Sequence, residues 1–313
     1  MMTDKGLSDV YFQNDEIDLI EYLRVVWQGK WLIIFITALF AVCTVIFALN
    51  LPNFYRATVL LSPVNDSNNS NSALLGQLGG LASLAGLNLG NASNSSSTTK
   101  NLAIMESRAF ITDFINNYGL TVPIMASIPV DGRGTVEIDP AIYDETSGEW
   151  VREPTRNRGV VPSDWEVFEA FNEMYMIDVD TETGLVYVSI EWLDPVQVKN
   201  WLEFLVSDLN ERIRQRDLEE AQKAIAYLED QLNKTQLVDM RNVFYNLIEQ
   251  QTQTIMLADV RSEYAFQVID PAVIPEDKVS PNRAVICAFG TFLGFLVSSF
   301  VLIFISHIRK IRS

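Results

Sequence analysis

The sequence predicts an α+β membrane protein in which a two-helix transmembrane hairpin encloses one large domain. Two apolar stretches without Asp, Glu, Lys or Arg, residues 31–49 and 284–305, lie near opposite ends of the chain. The 234 residues between them contain strand patterns of period two and a long run of helical periodicity. We therefore expect a mixed domain of strands and two long antiparallel helices, carried on two membrane helices.

The two apolar stretches are long enough to cross a bilayer. At about 1.5 Å per helical residue they reach roughly 28 and 33 Å, against a hydrocarbon core of about 30 Å. Basic residues near the spans number five on the terminal side and three on the loop side: Arg24, Lys30, Arg309, Lys310 and Arg312 against Arg56, Lys278 and Arg283. This bias predicts that both termini are cytoplasmic.

The spans divide the chain into five parts. We expect a cytoplasmic leader, a first transmembrane helix, a periplasmic domain, a second transmembrane helix and a cytoplasmic tail, at residues 1–30, 31–49, 50–283, 284–305 and 306–313. The leader holds six acids against three bases, so the first span is predicted to be an anchor rather than a cleaved signal peptide. An eight-residue tail predicts no cytoplasmic kinase, ATPase or receiver domain.

The charge of the loop and the positions of the cysteines exclude some classes of function. The loop between the spans carries 17 bases and 34 acids, which gives a net charge of about −17. Such a surface repels nucleic acid and lacks the basic clusters that phosphate binding requires. Both cysteines, Cys43 and Cys287, lie within the spans, so no disulfide framework is expected in the domain.

The loop also lacks the residues of the common catalytic sites. The single histidine, His307, lies beyond the second span, which excludes a Ser/His/Asp triad, a Cys/His pair or a histidine zinc site from the loop. Phosphate-binding and nucleophile-elbow motifs are absent from the sequence. We predict no catalytic, cofactor or metal site, although scattered acids leave a glycosidase-like carboxylate pair open as an alternative.

Local patterns predict the elements of the domain. The expected elements are a strand at residues 54–61 ended by Ser62 and Pro63, an apolar Leu/Gly segment at 74–87, a helix at 102–118 ended by Gly119, an irregular region with short strands at 120–162, a helix at 164–172, and a hairpin of strands 175–180 and 185–192. The Leu/Gly segment is flanked by Asn/Ser-rich stretches. It is predicted to be either a satellite core helix or a surface that contacts a neighbouring subunit or the membrane.

A long helix is the main feature of the domain. Asp194 as N-cap, Pro195 at the first helical position and Gln197 three residues after the cap form a strong start signal. An apolar stripe follows at 198, 202, 205, 209, 213, 221, 225, 228 and 232. About 40 residues would span roughly 60 Å, so we expect this helix to project from a base, with a second helix at 237–264 returning beside it. The long helices thus occupy about 194–264, and the base about 50–193 and 265–283.

The chain returns to the membrane through a strand and a proline segment. A strand is predicted at 266–275, and Pro271, Pro275 and Pro281 prevent a continuous helix into the second span. Within that span Gly290, Gly294 and Ser298 place small residues on one helical face. This face predicts a close helix contact, either with the first span or with a partner protein.

The arrangement resembles the Wzz-type polysaccharide co-polymerases, the family that determines O-antigen chain length. The resemblance lies in the acidic leader 15–20, the Leu/Gly segment, the hairpin before Asp194 and Pro195, and the long helix. Its most specific part is the exit from Ala265 through Pro271 and Pro275 to Arg283. It implies an α/β base near the bilayer with long protruding helices above it, assembled as a closed homo-oligomeric ring in the inner membrane of a Gram-negative cell.

The resemblance also implies a function. Such a protein is not an enzyme; it works with the O-antigen polymerase on undecaprenyl-pyrophosphate-linked glycan and sets the modal chain length of lipopolysaccharide O-antigen. A sister class acts in capsule or exopolysaccharide export with a tyrosine kinase, here a separate one, and is the main alternative. A sensory receptor and a periplasmic glycan hydrolase are two further alternatives.

Overall fold

The computed structural model describes residue 27 and residues 29–64, 92–130, 134–155 and 158–312 of the 313-residue chain. The chain divides into two compact units, Met1–Leu51 with Pro281–Ser313 and Pro52–Ser280. In chain order the elements are α1 (Lys30–Asn50), β1 (Tyr55–Pro63), α2 (Ala92–Met105), α3 (Arg108–Asn117), α4 (Thr121–Ala126), β2 (Ser127–Pro129), β3 (Val136–Ile138), β4 (Tyr143–Asp144), β5 (Glu149–Trp150), α5 (Asp164–Met174), β6 (Tyr175–Val179), β7 (Val186–Trp192), α6 (Pro195–Lys234), α7 (Val238–Val260), β8 (Phe266–Asp270) and α8 (Arg283–Arg312). The predicted α+β class is confirmed.

The first unit holds two helices that are long and apolar enough to cross a membrane, Lys30–Asn50 and Arg283–Ile305. Most of their large apolar side chains are exposed, as in Trp31 and Phe35 of α1. Helix α8 extends past the predicted end of the span at Ile305 and through the basic tail to Arg312. The tail contains no Pro or Gly that would stop a helix, and Arg and Lys are good helix formers.

The second unit is built on a four-stranded antiparallel sheet with the order β6-β7-β1-β8. Strand β1 pairs with the whole length of β7, from Tyr55 opposite Trp192 to Leu61 opposite Val186. The predicted end of β1 before Ser62 is wrong by two residues, because the strand continues to Pro63, where it pairs with Phe266 of β8. The first and last strands of the unit are therefore direct neighbours.

One face of the sheet forms the core. Alternate residues of β1 are buried from Tyr55 to Leu61, as expected for a strand with one face packed and one face free. Helix α6 packs on this face with Val198, Leu202 and other residues of its apolar stripe, together with side chains from α3 and α5. On the other face Arg56 pairs with Glu191 across the strands.

The single helix predicted at 102–118 is wrong. Helix α2 ends at Met105, and α3 begins after Ser107, whose hydroxyl accepts a hydrogen bond from Phe110 N at 3.2 Å. Serine is a favoured N-cap because its side chain replaces a missing helical acceptor, so it starts a new helix here. Gly119 follows α3 with a φ of +62°, which agrees with the predicted stop.

The region 120–162 contains the short strands that were predicted, β2 to β5, and one helix that was not, α4. Helix α5 begins after Ser163, whose hydroxyl accepts from Glu166 N at 3.3 Å. The predicted hairpin is confirmed as β6 and β7, and its turn uses Gly184 with a φ of +72°. The Leu/Gly segment at 74–87 lies outside the described residues.

The predicted start of the long helix is confirmed. Asp194 Oδ1 accepts hydrogen bonds from Val196 N at 2.8 Å and Gln197 N at 3.2 Å, and α6 then runs for 40 residues. Helix α7 packs beside it, so that Arg214 donates to the carbonyl of Ala258 at 3.4 Å. Beyond Ala221 the apolar stripe of α6 is only partly covered.

Candidate functional site

The small-residue face of the second span, which we call the glycine face (Gly290, Gly294 and Ser298), packs against α1. A side-chain carbon built at Gly290 would overlap Thr44, and one built at Gly294 would lie 2.6 Å from Phe40 Cβ. The partners run in opposite directions along the two helices, so α1 and α8 are antiparallel. Of the two contacts left open by the sequence, the structure contains the one with the first span.

The approach of the two helices is close enough to require glycine. At Gly294 the opposing atom is Phe40 Cβ, which is fixed to its backbone and cannot rotate away. At Gly290 the opposing atoms include Thr44 Cβ at 2.9 Å, and a β-branched side chain has little rotamer freedom in a helix. Ser298 is fully buried on the same face. Larger residues at these positions would push the backbones apart.

Hydroxyl groups in this helix pair bond mainly to their own helix. Thr291 Oγ1 donates to Cys287 O at 2.7 Å, Ser298 Oγ donates to Phe295 O at 2.9 Å, and Thr44 donates to Phe40 O. Thr37 and Ser299 have buried hydroxyl oxygens without a partner among the described residues. The described contact between α1 and α8 is thus one of packing, the main attractive term between apolar helices in lipid.

The three residues of the predicted proline segment occupy different places along the chain. Pro271 directly follows β8 and lines a cavity of about 390 Å³ with Val59 and Leu202. Pro275 lies in the non-helical stretch after it, and Pro281 lies two residues before α8. All three prolines lie outside the described helices and strands, which agrees with their missing N–H donor.

Val279 and Ser280, directly before Pro281, are held by backbone pairing with Phe54. Phe54 N donates to Ser280 O at 2.9 Å and Val279 N donates to Phe54 O at 2.9 Å, while Lys278 Nζ donates to Asn53 Oδ1 at 3.1 Å. Within the first unit, Asn282 Oδ1 accepts from Val285 N at 3.3 Å and so caps the start of α8. Two chain segments distant in sequence therefore form one short ribbon.

Asn210 is a buried polar residue that sequence reasoning missed. Its Oδ1 accepts from Ala265 N at 2.8 Å and Phe266 N at 2.9 Å, and its Nδ2 donates to Phe266 O at 3.0 Å and Val206 O at 3.3 Å. The side chain thus joins α6 to the first residue of β8. The only sign of this role in the sequence was an amide side chain directly after Leu209, a residue of the apolar stripe of α6.

A second missed group orders the loop before α5. Arg152 forms two hydrogen bonds with the buried carboxylate of Glu166, and it also donates to Val160 O at 2.7 Å and Gly159 O at 2.9 Å. The hydrogen bonds from Arg152 lower the pKa of Glu166, against the opposing effect of burial. Nothing in the spacing of these residues predicts the pair, because a loop brings Arg152 to the helix.

Titratable side chains in the described part of the chain do not form a metal-binding cluster. Among the described residues there is no group of three or more His, Cys, Asp or Glu side chains that could hold a metal ion. Burial raises the pKa of Tyr118 to about 12, with a further contribution from its 2.8 Å hydrogen bond to Asp208.

One family model matches part of the chain. Residues 15–118, a third of the chain, match the family model described as Wzz, chain length determinant protein. A solved structure described as a full-length bacterial polysaccharide co-polymerase aligns with 94% of this chain and 99% of its own, at 12% identity and a TM-score of 0.41. No curated protein sequence matches. The resemblance to the Wzz family is confirmed over residues 15–118.

Proposed function

We propose that this chain, a Wzz-like protein over residues 15–118, regulates polysaccharide polymerisation without being an enzyme and sets the modal chain length of lipopolysaccharide O-antigen. The observation that carries the proposal is the family match, which spans the first apolar helix and the beginning of the second unit. Two helices able to cross a membrane support it, because a regulator of a membrane-bound polymerase must share its bilayer.

The proposed location is the inner membrane of a Gram-negative cell, with both termini cytoplasmic and residues 50–283 periplasmic. The support is the excess of basic residues on the terminal side of the two spans. Reporter fusions test it: alkaline phosphatase should be active when inserted within residues 65–72 and inactive when fused after Ser313. The reverse pattern would overturn the topology.

The proposed assembly is a closed homo-oligomeric ring. Helix α7 and its N-cap expose many large apolar side chains: Leu237, Val238, Met240, Val243, Tyr245, Leu247, Met256 and Val260. A neighbour that covers this surface would remove it from water, which is favourable in proportion to the apolar area. Identical chains that contact each other through two different surfaces close into a ring when the rotation permits.

The proposed partners are the O-antigen polymerase, through the membrane helices, and undecaprenyl-pyrophosphate-linked glycan. With the glycine face used between α1 and α8, the large aromatic side chains of α8 point away from the pair, among them Phe289, Phe292 and Phe300. These are available to a partner or to lipid. In this mechanism the chain acts as a scaffold that keeps polymerase and growing glycan together until a preferred length is reached.

The test is electrophoresis of surface polysaccharide from a strain that lacks this gene, with the wild-type gene restored on a plasmid as control. Deletion should replace the modal band cluster of lipid A-linked O-antigen by a broad distribution, with total polymer little changed. If instead the O-antigen pattern is unchanged and capsule or exopolysaccharide is altered, the alternative function with a separate tyrosine kinase replaces the proposal.

A further inference from the structure

The hairpin of β2 and β3 has one half-buried face and one exposed face. Ser127, Val136 and Ile138 are half-buried, whereas Ile128 and Val130 are 40% and 51% exposed. Ile128 and Val130 are two residues apart in an extended segment, so their side chains point to the same face. The family match ends at residue 118, so this hairpin lies outside the matched residues.

Polar residues stand opposite the two exposed apolar ones. Glu137 pairs directly with Ile128 in the ladder, and Val130 N donates to Thr135 O at 3.0 Å. Residues directly opposite each other in an antiparallel pair share a face, and Thr135 and Glu137 are both exposed. We call these four residues, Ile128, Val130, Thr135 and Glu137, the hairpin face. It is apolar along one strand and polar along the other.

The hairpin lies at the end of the second unit from which the chain continues to both apolar helices. A side-chain carbon built at Gly134 would lie 2.6 Å from Pro195 Cδ and 3.2 Å from Tyr55 Cε2. Tyr55 begins β1, and Phe54 before it pairs with Ser280, the last residue of the unit. The tip of the hairpin is therefore packed against the end of the unit where the chain enters and leaves it.

Where the two helices cross a bilayer, covalent geometry keeps this end of the unit close to the lipid. Phe54 is four residues after Asn50, which ends α1, and Ser280 is three residues before Arg283, which begins α8. An extended chain advances at most about 3.6 Å per residue, so Phe54 and Ser280 lie within about 14 and 11 Å of these helix ends. The headgroup layer is about 5–7 Å thick on each side of the hydrocarbon core. The hairpin is therefore held beside the lipid headgroups.

We propose that the hairpin face is a lipid contact, in which Ile128 and Val130 enter the headgroup region of a zwitterionic membrane. Removing these side chains from water is favourable, and amphipathic segments bury their apolar side at this boundary. Glu137 limits the depth, because a carboxylate must keep its hydration or find a partner, which the ammonium groups of such lipids provide. The inference goes beyond the proposed function, since it requires only that α1 and α8 cross a membrane.

The size of the hairpin face favours lipid over a protein partner. A stable protein interface takes about 20–30 residues from each side, and the hairpin face contains four. A lipid surface needs no comparable area, because the two membrane helices already hold the unit beside it and raise the effective concentration of the contact. The hairpin is thus a third attachment of the second unit to the membrane, in addition to its two covalent links.

A charge in the hairpin face provides one test. The full chain, with Cys43 and Cys287 replaced by alanine, carries the environment-sensitive fluorophore NBD on Ile128→Cys in phosphatidylcholine nanodiscs. Lipid with a doxyl spin label near the start of its acyl chain should quench this probe. Adding Val130→Glu should reduce the quenching several-fold, because a carboxylate opposes entry into the apolar layer. Unchanged quenching would contradict the contact, and because Val130 is exposed, this substitution leaves the core intact.

The position of the probe provides the matched control. Val179 is also an exposed valine, but it pairs with Val186 at the opposite end of the sheet from Tyr55. NBD on Val130→Cys should be quenched by doxyl lipid several-fold more strongly than NBD on Val179→Cys, and its emission should be shifted to the blue.

Equal quenching of these two probes by doxyl lipid, or quenching of neither, overturns the proposal. A blue-shifted probe at position 130 that doxyl lipid does not quench overturns it as well, because protein, such as a second copy of the chain, would then cover the hairpin face. These readouts are independent of polysaccharide length, so a failure of the lipid contact and a failure of the proposed function are distinguishable.

Discussion

Asn210 and Phe266 are joined by two hydrogen bonds of opposite direction. Asn210 Oδ1 accepts from Phe266 N at 2.9 Å, and its Nδ2 donates to Phe266 O at 3.0 Å. This is the pairing that a neighbouring strand would provide, supplied here by one side chain of α6. Because Asn210 is 4% exposed, water cannot easily replace these bonds.

We expect Asn210→Ala to destabilise the fold. The substitution leaves the amides of Ala265 and Phe266 without their partner, at a cost of about 1–3 kcal/mol for each buried group. The thermal midpoint of the full chain in detergent should fall clearly. Asn200→Ala, on a less buried position of the same helix, is the control and should change the midpoint little. Equal midpoints for the two variants would mean that the Asn210 bonds are dispensable.

The ion pair of Arg152 and Glu166 should make stability depend on acid. Because Arg152 lowers the pKa of Glu166 in the folded protein, the pair stabilises the fold above the unfolded pKa of Glu. That contribution is lost as the pH falls through the lowered folded pKa, below about 4.3. Wild-type protein should therefore lose stability on acidification more steeply than Glu166→Gln.

At pH 7, Glu166→Gln should lower the free energy of unfolding by about 3 kcal/mol, the low end of the range for removing one partner of a buried ion pair. The loss should stay at this end because Arg152 keeps two carbonyl partners. Glu169→Gln, on the same helix with an exposed partner at 3.7 Å, should cost below about 1 kcal/mol. Denaturant titrations at pH 7 and at a series of pH values below about 4.3 measure both effects. Parallel pH profiles for wild type and Glu166→Gln would contradict the role of the pair.

The sequence predicts those features of the fold that depend on residues close together in the chain. The start of α6 was predictable because Asp194, Pro195 and Gln197 act within one helical turn, and the β6–β7 hairpin because its turn residues are adjacent. The break at Ser107 was missed because serine is acceptable both within a helix and as a cap. The tertiary environment decides between these two uses.

The candidate site, too, was predictable only where it depends on residues close together in the chain. Small residues at Gly290 and Gly294 predicted a close helix contact, but only the structure identifies Thr44 and Phe40 as the opposing residues. Asn210 could not be assigned a role from sequence, since its partners lie 55 and 56 residues away. Long-range pairing of this kind leaves no periodic signal in the chain.

The glycine face should be necessary for function but not for assembly. Leucine at Gly290 and Gly294 should separate α1 from α8 and weaken their packing by about 1–2 kcal/mol. The double variant Gly290→Leu/Gly294→Leu should remain oligomeric, because the proposed ring contacts are periplasmic, yet produce an almost random length distribution. Gly294→Leu alone should be more severe than Gly290→Leu, since Phe40 Cβ cannot move aside.

Size-exclusion chromatography and polysaccharide electrophoresis measure the two properties. Ala288→Leu, on an exposed position of the same helix, is the matched control and should leave both unchanged. A wild-type banding pattern from the double variant at normal protein level would show that tight packing of α1 and α8 is not required for length control.

The exposed apolar surface of α7 should be an oligomer contact. Val243 and Leu247 lie one turn apart and are 48% and 37% exposed. Glutamate at both positions would bury charge in the contact, which is strongly unfavourable without a partner. The wild-type protein should elute several-fold above its 35.3 kDa monomer mass, and the double variant well below the wild type. Asn246→Glu, on the same helix, is the control and should elute like the wild type. A wild-type protein that is monomeric in mild detergents and in nanodiscs would contradict the proposed ring.

The central claim is that this chain alone gives the polymerase a preferred product length. The most direct measurement is the product distribution of the purified O-antigen polymerase acting on undecaprenyl-pyrophosphate-linked repeats in proteoliposomes, with and without this protein. We predict a broad, steadily decreasing distribution from the polymerase alone and a modal peak when this protein is added. The same distribution in both reactions, at equal total polymerisation, would contradict the account.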